Sequence, residues 1–293
     1  MMHINFPLVL VLAVAISGFL ALIDFLFLAP RRRRAVARYE AEVDVADPQT
    51  IERLDKEPLL VEYGKSFFPV LAVVLILRSF LVEPFQIPSG SMKPTLAVGD
   101  FILVNKFAYG IRLPVADVKV IPIGDPQRGD VMVFRYPNDP ATNYIKRVVG
   151  LPGDHIRYAD KQLYVNGKKV EHELVEITHD DEVPAGHPLQ AFANAAIYRE
   201  QLGEVSHLIR QKELSQTPPE KEWVVPEGHY FMMGDNRDNS NDSRYWHADD
   251  MPKELWGMVP DNYIVGKAFA VWMHWPELKL SNLPSFSSVA LIH

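Results

Sequence analysis

Residues 4–29 are almost wholly apolar, and Arg31, Arg32, Arg33 and Arg34 follow at once. The run exceeds the roughly 20 residues that a helix needs to cross a bilayer. Its one acid, Asp24, lies near the end, within reach of the interface. A cleavable export signal carries its positive charge before the apolar run, not after it. The order seen here predicts a retained membrane helix with its arginines in the cytoplasm and its N-terminus outside. A second apolar run, residues 67–82, is shorter and contains Arg78. Lys65 stands at its near end, and Arg78 can snorkel at the far end, so a second span is expected over 67–83. Two spans return the chain to the outer side. Residues 30–66 then form a polar cytoplasmic connector, and residues 84–293 form an external domain.

That external part reads as β structure. Residues 101–109, 131–136, 144–149, 163–170, 230–233 and 264–272 are rich in β-formers, bounded by Gly, Pro and Asp. Asn166-Gly167 marks a tight hairpin. Many short strands predict an all-β domain of sandwich or barrel type, with residues 155–225 as an inserted subdomain. Within it, residues 189–214 read as a short helix. The formal net charge of −7 removes the basic surplus that a nucleic-acid binder needs. The absence of cysteine excludes disulfides, a thiol nucleophile and thiolate metal sites.

Three segments could carry chemistry. Pro88-Ser89-Gly90-Ser91-Met92-Lys93-Pro94 follows the second run and is stiffened by its prolines. Tyr144-Ile145-Lys146-Arg147-Val148-Val149-Gly150 sets a lysine in an apolar strand, on the face shared by Tyr144 and Val148. Burial would lower the pKa of such an amine and let it act as a base toward a hydroxyl. A strand-edge lysine pointing at water, beside Arg147, is the plain alternative. Gly234-Asp235-Asn236-Arg237-Asp238-Asn239-Ser240-Asn241-Asp242-Ser243-Arg244 is a turn-rich loop in which Asp242 and Arg244 can pair. It lacks the glutamate of a calcium loop. His247, Asp249 and Asp250 could offer metal ligands, but a solvated surface insertion, 247–255, is the expected reading. No metal and no cofactor is expected.

Taken together and in order, these segments resemble the bacterial type I signal peptidases (leader peptidases), Ser-Lys proteases of the export pathway. The resemblance covers most of the chain and implies a role for each matching position. Ser91 would be the nucleophile and Lys146 the general base. The Ser91 N–H and the Ser89 hydroxyl would form the oxyanion hole. Ser240 would orient the lysine, with Asp242 and Arg244 bracing the loop. Phe85, Ile87 and Met92 would line a groove selecting small side chains before the cut. Lys93 is a second candidate base, with less desolvation around it. The resemblance further implies signal peptides of exported preproteins and the lipid bilayer as partners, with the export translocon nearby. It places the enzyme in the inner membrane, multi-pass, with the catalytic domain periplasmic. Apolar side chains at Phe80, Leu81 and Phe85 would dip into the lipid surface. Two other readings stand beside it. A soluble self-cleaving Ser-Lys repressor would lack the apolar run at 4–29. A membrane-anchored β scaffold would make Ser91 and Lys146 incidental. A penicillin-binding enzyme is set aside, because no Lys-Thr-Gly is present.

Overall fold

The computed structural model of the 293-residue chain describes residues 6–43, 45–80, 82–112, 119–183, 187, 190, 193–213, 215, 219–247, 251–276 and 283–292, without the side chains of 6, 7, 77–80 and 112. Part of the first apolar run, the side chains of Arg78 and Phe80, and residues Leu81, Pro184, Pro188, Leu189, Asp249 and Asp250 lie outside this description. The described residues divide into a helical unit, 6–80, and a β unit, 82–292.

In the helical unit, α1 (Phe6–Ile23) runs through a π-helical turn, Asp24–Leu28, into α2 (Ala29–Glu42). α3 (Pro48–Asp55) and α4 (Leu59–Phe80) follow. Asp47 caps α3 by accepting from the Gln49 and Thr50 amides at 3.3 and 3.1 Å, and Pro48 occupies the first turn, where no amide is needed. Among the described residues two helical stretches are long and apolar enough to cross a membrane: residues 8–42, and 59–76 of α4. α4 therefore begins eight residues earlier than the apolar run alone suggested, and it takes in Glu62 and Lys65. It ends at Phe80, so Val82 and Glu83, expected at the tail of the span, belong to a strand instead.

α1 and α4 approach closely at two glycines. A Cβ on Gly18 would sit 2.8 Å from the Phe68 ring, and one on Gly64 3.0 Å from Leu20. Small residues permit such contact between apolar helices. Asp24 is buried, accepting from Arg32 at 2.7 Å and Lys65 at 3.1 Å, and Lys65 also meets Glu57 at 2.5 Å. An acid in an apolar helix needs such partners, because an unpaired carboxylate there is costly.

The β unit holds, in chain order, β1 (Val82–Gln86), β2 (Asp100–Asn105), β3 (Ile111–Arg112), β4 (Lys119–Ile121), β5 (Val131–Tyr136) and β6 (Asp139–Gly150). Then come β7 (His155–Ala159), β8 (Gln162–Val165), β9 (Lys168–Lys169), β10 (His172–His179), β11 (Asn194–Leu202), β12 (Val205–Lys212) and β13 (Lys221–Val224). The last four are β14 (His229–Met233), β15 (Met258–Pro260), β16 (Ile264–His274) and β17 (Ala290–Leu291). The main sheet has the order β1-β2-β16-β5-β6-β14-β15, with β17 against β16. Its pairings are antiparallel.

Alternation along β5 shows how this sheet is buried on both faces. Val131 and Val133 enter one apolar cluster with Ile87, Met92, Leu96 and Ile102. Met132 and Phe134 enter another with Val148, Met232 and Trp246. β6 is therefore a central strand, and its last four residues, Arg147 to Gly150, are buried.

β6 and β14 are neighbours in this sheet, although 78 residues lie between Gly150 and His229. The intervening chain builds a four-stranded sheet, β13-β7-β8-β9, and a three-stranded one, β10-β11-β12. The Asn166-Gly167 turn joins β8 to β9, with φ of 53° and 75°, the paired positive values of a tight hairpin. Among the described residues the helix expected within 189–214 is absent; residues 194–212 form the β11–β12 hairpin. Exposure alternates along the end of β11, where Arg199 and Gln201 are exposed and Glu200 and Leu202 buried, while Glu204 sits in the exposed turn beside Gly203, whose φ is +66°. The run of Ala, Glu, Gln and Leu favours helix weakly, and burial against a sheet overrides it.

Candidate active site

Ser91 follows β1 on a short 3₁₀ turn, Gly90–Met92. The turn is held to the third segment: the Asn236 amide donates to the Ser91 carbonyl at 3.1 Å. Lys146 lies mid-way along β6, opposite Met132 of β5. These two non-local placements bring the Lys146 Nζ to 2.6 Å from the Ser91 Oγ. Ser91 is 8% exposed and Lys146 4%. While charged, the amine donates to the Ser91 oxygen and to the Ile145 carbonyl, 2.9 Å away. Once neutral, it has a lone pair to receive the serine proton.

Burial is the main reason that the amine titrates low. Its surroundings are Met132 across the strand and the Tyr144 ring, whose centroid is 5.5 Å away. Tyr144 stacks on Tyr136 at 4.4 Å, and both rings abut Trp246. The aromatic wall keeps water from the amine and removes the solvation that favours the ammonium. The Lys146 pKa falls from 10.5 to about 8, because the pull of Asp242 and Asp235, partly offset by Arg244, does not cancel the desolvation.

Asp242 and Arg244 form the expected pair, Nε to Oδ1 and Nη2 to Oδ2, both at 2.8 Å. Burial pushes the Asp242 carboxyl up, but the Arg244 guanidinium outweighs it and holds the group ionised. Asp242 also accepts from the Gly234 amide at 2.9 Å, and Arg244 donates to the Arg237 carbonyl at 2.6 Å. The loop is thus closed on itself by charged hydrogen bonds.

The remaining expectations are placed as follows. Ser89 lies on the exposed side of the turn, its Oγ 3.5 Å from that of Ser91. Ser240 is buried close by, yet its hydroxyl is not a partner of the Lys146 amine; the Ile145 carbonyl takes that position. Lys93 is paired with Asp181 at 2.6 Å rather than with Ser91. Ile87 and Met92 do not wall an open groove. They are 2% and 0% exposed, in the apolar core beneath the serine turn, where they fix its height rather than meet a ligand. Phe85 is half-buried at the margin of the same cluster. Among the described residues no group of acids and histidines could hold a metal, and Asp249 and Asp250 lie outside them.

Two features escaped the sequence reading. Arg147, next to the lysine, is wholly buried and binds Asp235 through two hydrogen bonds, 2.9 and 2.7 Å. Strand alternation could have found it: if Lys146 faces one buried side, Arg147 must face the other. The second is Gly234. A Cβ there would lie 2.2 Å from the Ser240 Oγ and 2.5 Å from the Ser91 carbonyl oxygen. A Gly234→Ala variant is expected to lose about 10²-fold or more in any reaction run by Ser91, since a shift near 1 Å in a reacting group has that effect. Steady-state assay beside a thermal melt checks it, and unchanged turnover would refute the tight fit.

Comparisons with known proteins agree with one another. Residues 60–275 match the family described as "Signal peptidase, peptidase S26". The chain is 65% identical, over the whole of both chains, to Signal peptidase I of Pseudomonas aeruginosa. It is 65% identical to Signal peptidase I of Pseudomonas fluorescens, over 99% of this chain and all of that one. Signal peptidase I of Haemophilus influenzae is 38% identical, over 92% of this chain and 86% of the relative.

Proposed function

The chain belongs to the signal peptidase family, peptidase S26, and from that premise we propose that Ser91 and Lys146 are its nucleophile and general base. The protein is a membrane-anchored serine endopeptidase that removes signal peptides from preproteins. One observation carries the assignment of residues: an amine with depressed pKa lies 2.6 Å from a serine oxygen.

The steps follow from that contact. Neutral Lys146 takes the Ser91 proton as the Oγ attacks the scissile carbonyl. The oxyanion so formed is met by the Ser91 N–H and the Ser89 hydroxyl. Lys146, now charged, returns the proton to the leaving amine, and an acyl-enzyme remains. Water enters, the neutral lysine takes its proton, and the ester is hydrolysed. Asp242 and Arg244 keep the third loop rigid against the serine turn. Ser240 acts by packing on Gly234.

The finer placement is part of the same proposal. The four arginines after the first helix put the N-terminus outside and the connector inside. The β unit then lies on the outer face of the inner membrane. Ser91 follows Phe80, the last residue of α4, by only 11 positions along the chain. A short tether keeps the nucleophile at high effective concentration where a signal peptide's cleavage site emerges. The small residues before that site, and closeness to the translocon, fit this placement.

Cleavage of a preprotein by the detergent-solubilised full chain, with Ser91→Ala as control, tests the assignment. The pH profile tests the lysine. Because the active form is the neutral amine, activity is present above the pKa and lost below it. With a substrate that does not titrate, kcat/KM is expected to fall about tenfold per pH unit below pH 8 and to level off above about pH 9. A flat profile from pH 6 to 9 would remove Lys146 from the role of base.

A further inference from the structure

The inserted sheets reach the serine turn through one short acidic segment, Asp180-Asp181-Glu182, just after β10. Asp180 is held by Arg210 at 2.6 Å, and Asp181 by Arg210 at 2.9 Å and by Lys93 of the serine turn at 2.6 Å. Glu182 meets Arg210 at 2.9 Å and Lys212 at 3.0 Å, both on β12. Its carboxylate also comes so near Gly90 that a Cβ there would lie 2.8 Å from its Oε1.

Between this strap and Ser91 stands Asn236, which is wholly buried. Its Nδ2 donates to the Gly90 carbonyl at 2.9 Å and to the Glu182 Oε1 at 2.8 Å. Both partners are acceptors, so the amide can face them only with its nitrogen. Its backbone N–H donates to the Ser91 carbonyl. The two carbonyls that flank Ser91 are therefore tied to one residue.

The Gly90 carbonyl shares a peptide plane with the Ser91 N–H. In a trans peptide these two groups point in opposite directions. Fixing the oxygen against Asn236 thus aims the N–H away from Asn236. We propose that Asn236 is a positioning residue for the oxyanion hole, holding the Gly90–Ser91 peptide plane, and that Glu182 of the inserted sheet holds Asn236 in turn. This rests on the reading of Ser91 as nucleophile and of its N–H as an oxyanion donor. It gives the insertion a part in the rate of the reaction.

The test uses the full chain in detergent, a preprotein substrate, and two peptides of one sequence ending in an aldehyde or an amide. The aldehyde adds to Ser91 and places a tetrahedral oxygen in the hole, whereas the amide binds only as a ground state. For Asn236→Ala, kcat is expected to fall about 10²-fold, near the loss of one oxyanion donor. KM should stay within about threefold, because no ground-state contact is removed. Aldehyde affinity should drop alongside kcat, with amide affinity and the pH midpoint unchanged. Glu182→Ala should lose about tenfold in kcat, and Glu182→Gln should restore most of it, since Gln keeps an acceptor for the Asn236 amide.

Turnover within threefold of the parent in Asn236→Ala overturns the proposal. So does a loss that affects aldehyde and amide equally, or that moves the pH midpoint, since either marks general loosening. Should Asn236→Ala not fold, equal turnover of Glu182→Ala and the parent overturns it. If Ser91→Ala cleaves as fast as the parent, the underlying assignment has failed instead.

Discussion

A Lys146→Met variant is expected to lose at least about 10⁴-fold in cleavage rate and yet to melt at a higher temperature than the parent at pH 7. The rate loss follows from removing the only described group placed to take the Ser91 proton, at 2.6 Å. Lys146→Arg should be equally inactive, because a guanidinium cannot deprotonate here. The stability gain follows from linkage. The Lys146 pKa falls from 10.5 in the unfolded chain to about 8 in the fold. Between those values the unfolded state binds more protons, so stability rises with pH. Below about pH 8 the full cost of the buried amine is present, on the order of 3 kcal/mol for a shift of this size. Methionine has a similar volume and no charge. It removes that cost, less what the Ser91 and Ile145 oxygens lose as hydrogen-bond partners. Each kcal/mol recovered raises the melting temperature by about 2–4 °C in a domain of this size. The difference should shrink as pH approaches 10.5. Thermal melts at pH 7 and pH 10 read it directly, and a methionine variant less stable than the parent at both would show that the amine is not strained.

Asp235→Ala is expected to destabilise the β unit by about 3–5 kcal/mol, because it leaves Arg147 charged and buried with its main partner gone. Asp235 is wholly enclosed; it receives two hydrogen bonds from Arg147 and one, at 2.5 Å, from Thr95. Burial pushes its carboxyl up, and the Arg147 guanidinium more than reverses this, so the pair is ionic at neutral pH. Arg147→Met alone should also destabilise, by stranding the carboxylate. The double variant Arg147→Met/Asp235→Ala should recover more than half of the loss, since removing both charges together leaves none unpaired. Denaturant titration of all four proteins gives the coupling. Single variants within about 1 kcal/mol of the parent would show that the pair contributes little. The pair also joins β6 to the loop that carries Asn236, so turnover should fall in both single variants before the fold is lost.

How far the residues themselves announced this arrangement differs from element to element. The apolar run at the N-terminus announced a membrane helix, because spanning length and charge order are local properties. Alternation announced β5 and β6, and Asn166-Gly167 announced its hairpin through positive φ. The β11–β12 hairpin was hidden, since its residues have helix-compatible composition and only packing made them a strand pair. The start of α4 was hidden too, because Glu62 and Lys65 interrupt hydropathy without interrupting the helix.

At the site, Ser91, Lys146, Asp242 and Arg244 could be singled out from their segments. Their order and spacing, by resemblance, pointed to a Ser-Lys protease. Gly234, Asn236 and Glu182 could not, because each acts only through residues far along the chain: Gly234 through Ser91, and Asn236 through Gly90 and Glu182; alternation could have marked Arg147 as buried, but not its partner Asp235.

Sequence alone determined the apolar run at the N-terminus and the strand-rich class, since these depend on the length and period of contiguous residues, whereas Ser91 and Lys146 were pointed to only by resemblance. Tertiary structure alone decided the contact between Ser91 and Lys146, 55 positions apart, and the dryness of the amine. Desolvation is a property of everything packed around a group: Tyr144 is supplied by the same strand, but Met132 meets Lys146, and Trp246 meets Tyr144, only when distant parts of the chain pack together.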